Sequence, residues 1–189
     1  MTRARISGSA LAGLVVLMMA CASEPAPSDT ATVEPGAVAS AQRRTISVGA
    51  QSVGPVRVGM TVAEARQATG ETTVDADSIN RECDYVRLSG LPEGISLMVV
   101  EGVVSRIDVS APGITTAEGA RIGDPESQID SLYGTSVLRQ PHKYTDGSYL
   151  IVPATSDTAY QLVFETDGNA VTTYRAGVMP MVQWVEGCS

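Results

Sequence analysis

The chain has 189 residues, room for one domain with appendages or two small ones, and it is 43% hydrophobic but only 4% aromatic and 18% charged. Lys143 is the only lysine, and removal of residues 1–20 with Arg3 and Arg5 leaves 11 basic against 21 acidic residues, a net charge of −10. A chain so acidic, with no basic cluster, repels phosphate backbones, which argues against nucleic acid as a partner.

Residues 1–20 read as a signal peptide. Arg3 and Arg5 give a positive start, no acidic residue precedes Glu24, and Ala10 to Ala20 form an apolar run of eleven residues. A membrane-spanning helix needs about 20 apolar residues, so the run is too short to be one. It ends in Leu17-Met18-Met19-Ala20-Cys21. A small residue directly before a cysteine at the end of such a run resembles a bacterial lipobox. Met18 stands where the aliphatic residue of that motif usually lies. The resemblance implies lipidation at Cys21; the alternative is ordinary signal peptidase cleavage, releasing a soluble periplasmic or secreted protein. Ala22 follows, where aspartate would signal retention at the inner membrane. The expectation is an outer-membrane anchor facing the periplasm.

Residues 21–54 are rich in Ala, Ser, Pro and Thr and show no sustained period of 2 or 3.6, so they read as a disordered tether. Thr45-Ile46-Ser47-Val48 is its one candidate for a short lead-in strand. The globular part is expected over 55–189.

Within it, an internal repeat recurs at a spacing of 64 residues. Val56-Arg57-Val58-Gly59-Met60-Thr61 through Gly70 aligns with Ala120-Arg121-Ile122-Gly123-Asp124-Pro125 through Gly134. Each copy predicts a short helix. In the first, Thr61 and Glu64 make a capping box, with Val62, Ala65 and Thr69 on one face. In the second, Asp124 is the expected N-cap and Pro125 the first helical residue, with Ile129, Leu132 and Tyr133 apolar. Gly70 and Gly134 suit helix ends.

Strands follow each helix. Tyr85–Leu88, Ile95–Val100 and Val103–Val109 come after the first, with Glu101-Gly102 as a tight turn. Tyr149–Val152, Tyr160–Phe164 and Val171–Arg175 come after the second, with a hairpin at Thr166-Asp167-Gly168-Asn169. Val182-Gln183-Trp184-Val185 is expected to be a final strand, with Trp184 in the core or anchoring that strand. The fold class is therefore α+β: two tandem units, about 55–118 and 119–189, each a short helix backed by an antiparallel meander.

With Cys21 acylated, Cys83 and Cys188 remain. An even pair in an exported chain is more often a disulfide than a metal site or a catalytic thiol. Such a bond would close a loop of about 105 residues, worth up to ~4.7 kcal/mol if its benefit is chain entropy.

Gly59-Met60-Thr61 opening a short helix before a β-meander resembles the small outer-membrane assembly lipoproteins of the SmpA/OmlA type. A tandem doubling of that unit resembles the β-lactamase-inhibitor-protein fold. The likeness covers about residues 56–175 and implies a non-catalytic protein that offers a sheet surface to another protein. The chain departs from both: it has two units where the lipoproteins have one, and Gly123-Asp124-Pro125 replaces the tripeptide in the second. It also has cysteines for one disulfide across the units rather than one within each.

Catalysis finds little to work with. His142 is the only histidine; a hydrolase would pair it with Ser136 or Ser148 and Asp146, but no Gly-x-Ser-x-Gly elbow is present. One histidine and a paired cysteine do not supply the usual zinc sets. Asp75-Ala76-Asp77 and Asp124-Pro125-Glu126 lack a calcium loop's alternating ligands and distal glutamate, and read as a solvated loop and helix capping. Met179-Pro180-Met181 has no His/Met cluster around it for copper and reads as packing at a proline bend. No metal or cofactor is expected, and no enzymatic activity. The expected function is that of a cell-envelope lipoprotein binding an envelope protein partner through its sheet surface. The alternatives are an inhibitor of a periplasmic or secreted hydrolase, and a small-ligand carrier with a cleft between the units.

Overall fold

The computed structural model describes residues 46–71 and 82–189, and the predicted signal peptide, Cys21, most of the tether and Asp75-Ala76-Asp77 lie outside them. Three valines bring the chain into the fold earlier than expected. Strands β1 (Ser47–Gly49), β2 (Ser52–Val53) and β3 (Val56–Arg57) pair antiparallel, with Val48 opposite Val53 and Val53 opposite Val56. All three valines are fully buried. The tether therefore does not reach residue 54. Strands of two or three residues are too short to write a period-2 pattern into the sequence.

Helix α1 (Val62–Thr69) forms where its punctuation demands. The Thr61 side chain accepts from the Glu64 N–H while Glu64 accepts from the Thr61 N–H, so two donors at the helix start are satisfied. Gly70, at φ 82°, ends it in the left-handed conformation. Val62 and Ala65 turn inward. Strands β4 (Cys83–Val86), β5 (Ile95–Val100) and β6 (Val103–Val109) follow as an antiparallel series. Glu101 and Gly102 both have positive φ, as a two-residue hairpin turn of matching twist requires.

The short strand β7 (Thr115–Thr116) runs parallel to β1. Helix α2 (Glu126–Tyr133) begins one residue later than expected, with Pro125 at the N-cap position. Asp124 does not cap it, because its carboxylate accepts from the main-chain N–H and Nε of Arg121 instead. Strands β8 (Leu138–Pro141), β9 (Ser148–Pro153), β10 (Tyr160–Thr166) and β11 (Val171–Val178) are again antiparallel. The turn before β11 closes on Asp167, whose carboxylate accepts from the N–H groups of Asn169 and Ala170.

These strands form one seven-stranded sheet in the order β4-β5-β6-β11-β10-β9-β8, joined where β6 meets β11. Among the described residues the architecture is α+β, mostly antiparallel strands with two short α-helices. The main core lies between one face of this sheet and the helices, with Leu97, Ile107, Ile129, Leu150, Phe164 and Tyr174 among its largest enclosed side chains.

The last expected strand is absent. Residues 182–185 do not pair with any strand; Met181–Gln183 is a 3-10 turn. Its main-chain N–H groups bond locally, from Gln183 to the Pro180 carbonyl and from Trp184 to the Met181 carbonyl. The segment crosses the other face of the sheet instead of lengthening an edge, and Trp184 is 37% exposed rather than core.

Candidate functional site

Alternation decides what that second face carries, since directly paired residues on neighbouring strands share a face. One rung runs Tyr85, Met98, Arg106, Gly177, Gln161. The next runs Asp108, Arg175, Val163, Ile151, and a third joins Thr173, Glu165 and Tyr149. Two arginines and two carboxylates thus lie on adjacent strands, on the side away from the helices.

They are not left to water. Residues 179–188 lie over them as a strap. Arg106, 3% exposed, donates through Nε to Asp108 Oδ2 (3.0 Å) and through Nη1 to the carbonyls of Met181 (3.2 Å) and Trp184 (2.6 Å). Its Nη2 donates to the Tyr85 hydroxyl at 2.7 Å and pairs with Asp108 Oδ1 at 2.9 Å. All five guanidinium donors are therefore used. Arg175, 6% exposed, donates through Nε to the Val182 carbonyl at 2.6 Å and through Nη1 to Glu165. Val182 is fully buried against Tyr149, Ile151 and Val163, and Gln183 Nε2 donates to Gln161 Oε1. Glu186 reaches Lys143 at 2.7 Å, and Cys188 is bonded to Cys83 on β4, with Cα atoms 5.4 Å apart. A cavity of about 210 Å³ remains beside the strap, lined by Arg106, Asp108, Glu165, Thr173, Arg175 and Val185 among others.

Burial and pairing oppose each other at Asp108. Loss of hydration pushes its carboxyl above the ordinary carboxylate range, and the Arg106 contacts pull it only partly back. A raised folded pKa means that Asp108 favours the fold most at acid pH and loses that contribution as pH rises past 3.8 towards its folded value. Urea melts across this range should show the parent chain losing stability relative to an Asp108→Asn variant as pH rises; a parallel pair of curves would refute the assignment.

The catalytic candidates are placed otherwise. His142 Nδ1 accepts from the N–H groups of Tyr144 (3.1 Å) and Thr145 (3.2 Å), which leaves its proton on Nε2, 3.4 Å from Glu165 Oε2. The ring stacks on Tyr149 at 4.5 Å. Its nitrogens are thus committed to Glu165 and to backbone, not to Ser136, Ser148 or Asp146. Ser148 is tied through its main chain to Thr166, and Ser136 lies in a 3-10 turn after α2. Glu126 accepts from Thr166 and Arg139. Among the described residues no group of three or more His, Cys, Asp or Glu side chains could hold a metal ion. Met179 is exposed and Met181 half-buried in the strap.

No family model matches the chain, and no curated protein does. Among solved structures it is similar to the uncharacterized protein yfeY from Escherichia coli, at 17% sequence identity and a TM-score of 0.41. That match covers 69% of this chain and 99% of the other.

The arginine–carboxylate set is what the sequence did not disclose. Its trace was there, in Arg106-Ile107-Asp108 and in Glu165 after Phe164, but a charged residue at alternate positions of a strand reads equally as facing water.

Proposed function

We propose that this chain is a non-catalytic, lipid-anchored protein of the cell envelope that binds another protein through the strapped face of its sheet. One observation carries the reading. Among the described residues the large apolar side chains left exposed are Tyr85, Leu138, Tyr144, Met179 and Trp184. Tyr85 and Leu138 share the face of Arg106 and Ile151, Met179 and Trp184 belong to the strap, and Tyr144 sits beside Lys143, which pairs with the strap. The helical side contributes none of them. Aromatic and methionine side chains gathered on one face, with buried arginines beneath, have the composition of an interface core.

The disulfide belongs to a chain working outside the reducing cytoplasm. Among the described residues no helix is long and apolar enough to cross a membrane. The reading assigns anchoring to Cys21, because the apolar run ending in Leu17-Met18-Met19-Ala20-Cys21 resembles a lipobox, with the outer membrane as the site.

A doubled unit, of the SmpA/OmlA and β-lactamase-inhibitor-protein kind, is also part of this reading. It draws support from two pairs of hydrogen bonds. The Gly59 N–H donates to the Val104 carbonyl and the Val104 N–H to the Met60 carbonyl, both at 2.8 Å. The Gly123 N–H donates to the Val171 carbonyl at 2.8 Å and the Val171 N–H to the Asp124 carbonyl at 2.9 Å. Each copy is thus docked in the same way onto the last strand of its own series.

A photocrosslinker placed at Leu138 or Trp184 in the intact envelope is expected to yield one dominant protein adduct, while the same group at Gln67 on α1 yields none. Equal yields from both faces, or none from either, would remove the binding reading. A hydrolase as the adduct, losing activity when bound, would favour the inhibitor instead.

A further inference from the structure

The strap is attached unlike the rest of the sheet's coverings. It adds no strand to a ladder, and Val182 is its one fully enclosed side chain. Its main chain is held chiefly by guanidinium groups that reach its carbonyls, Arg106 to Met181 and Trp184 and Arg175 to Val182. Carbonyls are common to every peptide. Beyond them, the face specifies a branched apolar side chain in the slot formed by Tyr149, Ile151 and Val163, and an amide one residue later for Gln161. What makes this occupant permanent is covalent: β11 holds one end and the Cys83–Cys188 bond the other. Both sulfur-bearing residues are half-buried, not enclosed.

We propose that residues 179–188 are a redox-released strap, occupying in cis a groove that takes a turn-forming peptide segment of a partner once the Cys83–Cys188 bond is reduced. The proposal rests on the reading that this face binds protein, and names what it binds: a segment with a β-branched aliphatic residue followed by an amide, presenting main-chain carbonyls to Arg106 and Arg175. The reductant is a protein dithiol. One of its thiolates attacks a sulfur of the bond and expels the other as thiolate, and its second thiol then resolves the mixed disulfide. Two electrons and two protons pass to Cys83 and Cys188, and the dithiol ends as a disulfide.

With both ends fixed, a competitor cannot displace the strap. With one end free, it competes against a local concentration in the millimolar range for a short tether, so a probe need only be present at roughly that level. Trp184, the only tryptophan in the chain, reports on the strap directly.

The test uses the full chain, oxidised, reduced with dithiothreitol, and as the Cys83→Ser, Cys188→Ser double variant. The probe is a fluorescein-labelled peptide of residues 178–186 carrying Trp184→Phe, so that tryptophan emission comes from the protein alone. Reduction is expected to raise iodide quenching of Trp184 with the far-UV circular dichroism unchanged. Peptide binding should strengthen at least tenfold, the double variant should match the reduced chain, and a peptide with Val182→Asp should not bind. Quenching and binding identical in both redox states would overturn the proposal, as would collapse of the circular dichroism on reduction, which makes the bond a structural staple only. Crosslinked capture of a partner equally in both states would overturn this inference and keep the binding reading. Peptide binding confined to the reduced chain, with no partner captured in either state, would support the groove and remove that reading.

Discussion

Replacing Phe164 with Ala is expected to lower the free energy of unfolding by about 3–5 kcal/mol, the range for removing a large aromatic side chain from a closed core. Phe164 is the only phenylalanine in a chain with few aromatics, and it is fully enclosed. Its ring lies 5.7 Å from that of Tyr133 on α2 and 5.5 Å from that of Tyr174 on β11. It therefore joins the second helix to the middle of the sheet. The surroundings cannot close over the gap, because Phe164 and Tyr174 are directly paired across β10 and β11 and the ladder fixes their spacing. A small domain has roughly 5–15 kcal/mol in total, so the loss is a large fraction of what holds it. Urea melts of the oxidised chain would measure it as a lower midpoint at unchanged slope. Phe164→Leu, which keeps most of the volume, should cost clearly less. Equal costs for the two would mean that the ring contacts, not the cavity, set the penalty.

Features that two or three neighbouring residues settle among themselves were legible in the sequence. The Thr61–Glu64 capping box and its closing Gly70, the Glu101-Gly102 turn and the Asp167 turn are of this kind. The long strands were legible because six to eight residues suffice to display apolar content. What escaped depends on partners distant in sequence. The lead-in strand expected at 45–48 was legible as β1, but its partners were not: β7 pairs with it across more than sixty residues, and neither strand exceeds three residues. β8 was invisible because all four of its residues are exposed, so no apolar pattern marks it. Val182 to Val185 has the composition of a strand and is not one. Its carbonyls are taken by arginines on the sheet face, an alternative to a ladder that no local pattern announces. The same contacts explain why the charged set was missed: alternation gives Arg106 and Arg175 a face but not the neighbour covering it. Trp184, a natural choice for a core residue in so aromatic-poor a chain, contributes its carbonyl to Arg106 while its side chain stays half in solvent.

Arg106→Ala is expected to be as damaging as loss of Phe164, for an electrostatic reason. The variant leaves Asp108 without its bonded cation and removes the guanidinium donor from the Met181 and Trp184 carbonyls, which keep only local main-chain donors. Removing one partner of a buried pair costs about 3–5 kcal/mol, because the remaining charge stays desolvated and uncompensated. The origin can be checked in two ways. If the stranded carboxylate is the cause, Asp108 in the variant has a folded pKa raised further above its unfolded value, so the penalty is greatest at neutral pH. It should shrink as pH falls from about 7 to about 4 and the carboxyl takes up its proton. The double replacement Arg106→Met with Asp108→Leu should recover much of the loss, since an apolar pair of similar volume carries no desolvation cost. A penalty independent of pH that the double variant fails to relieve would shift the weight from the ion pair to the strap carbonyls. Arg106 would then matter chiefly as the clamp on residues 181–184, and its loss should raise the quenching of Trp184 by iodide even with the disulfide intact.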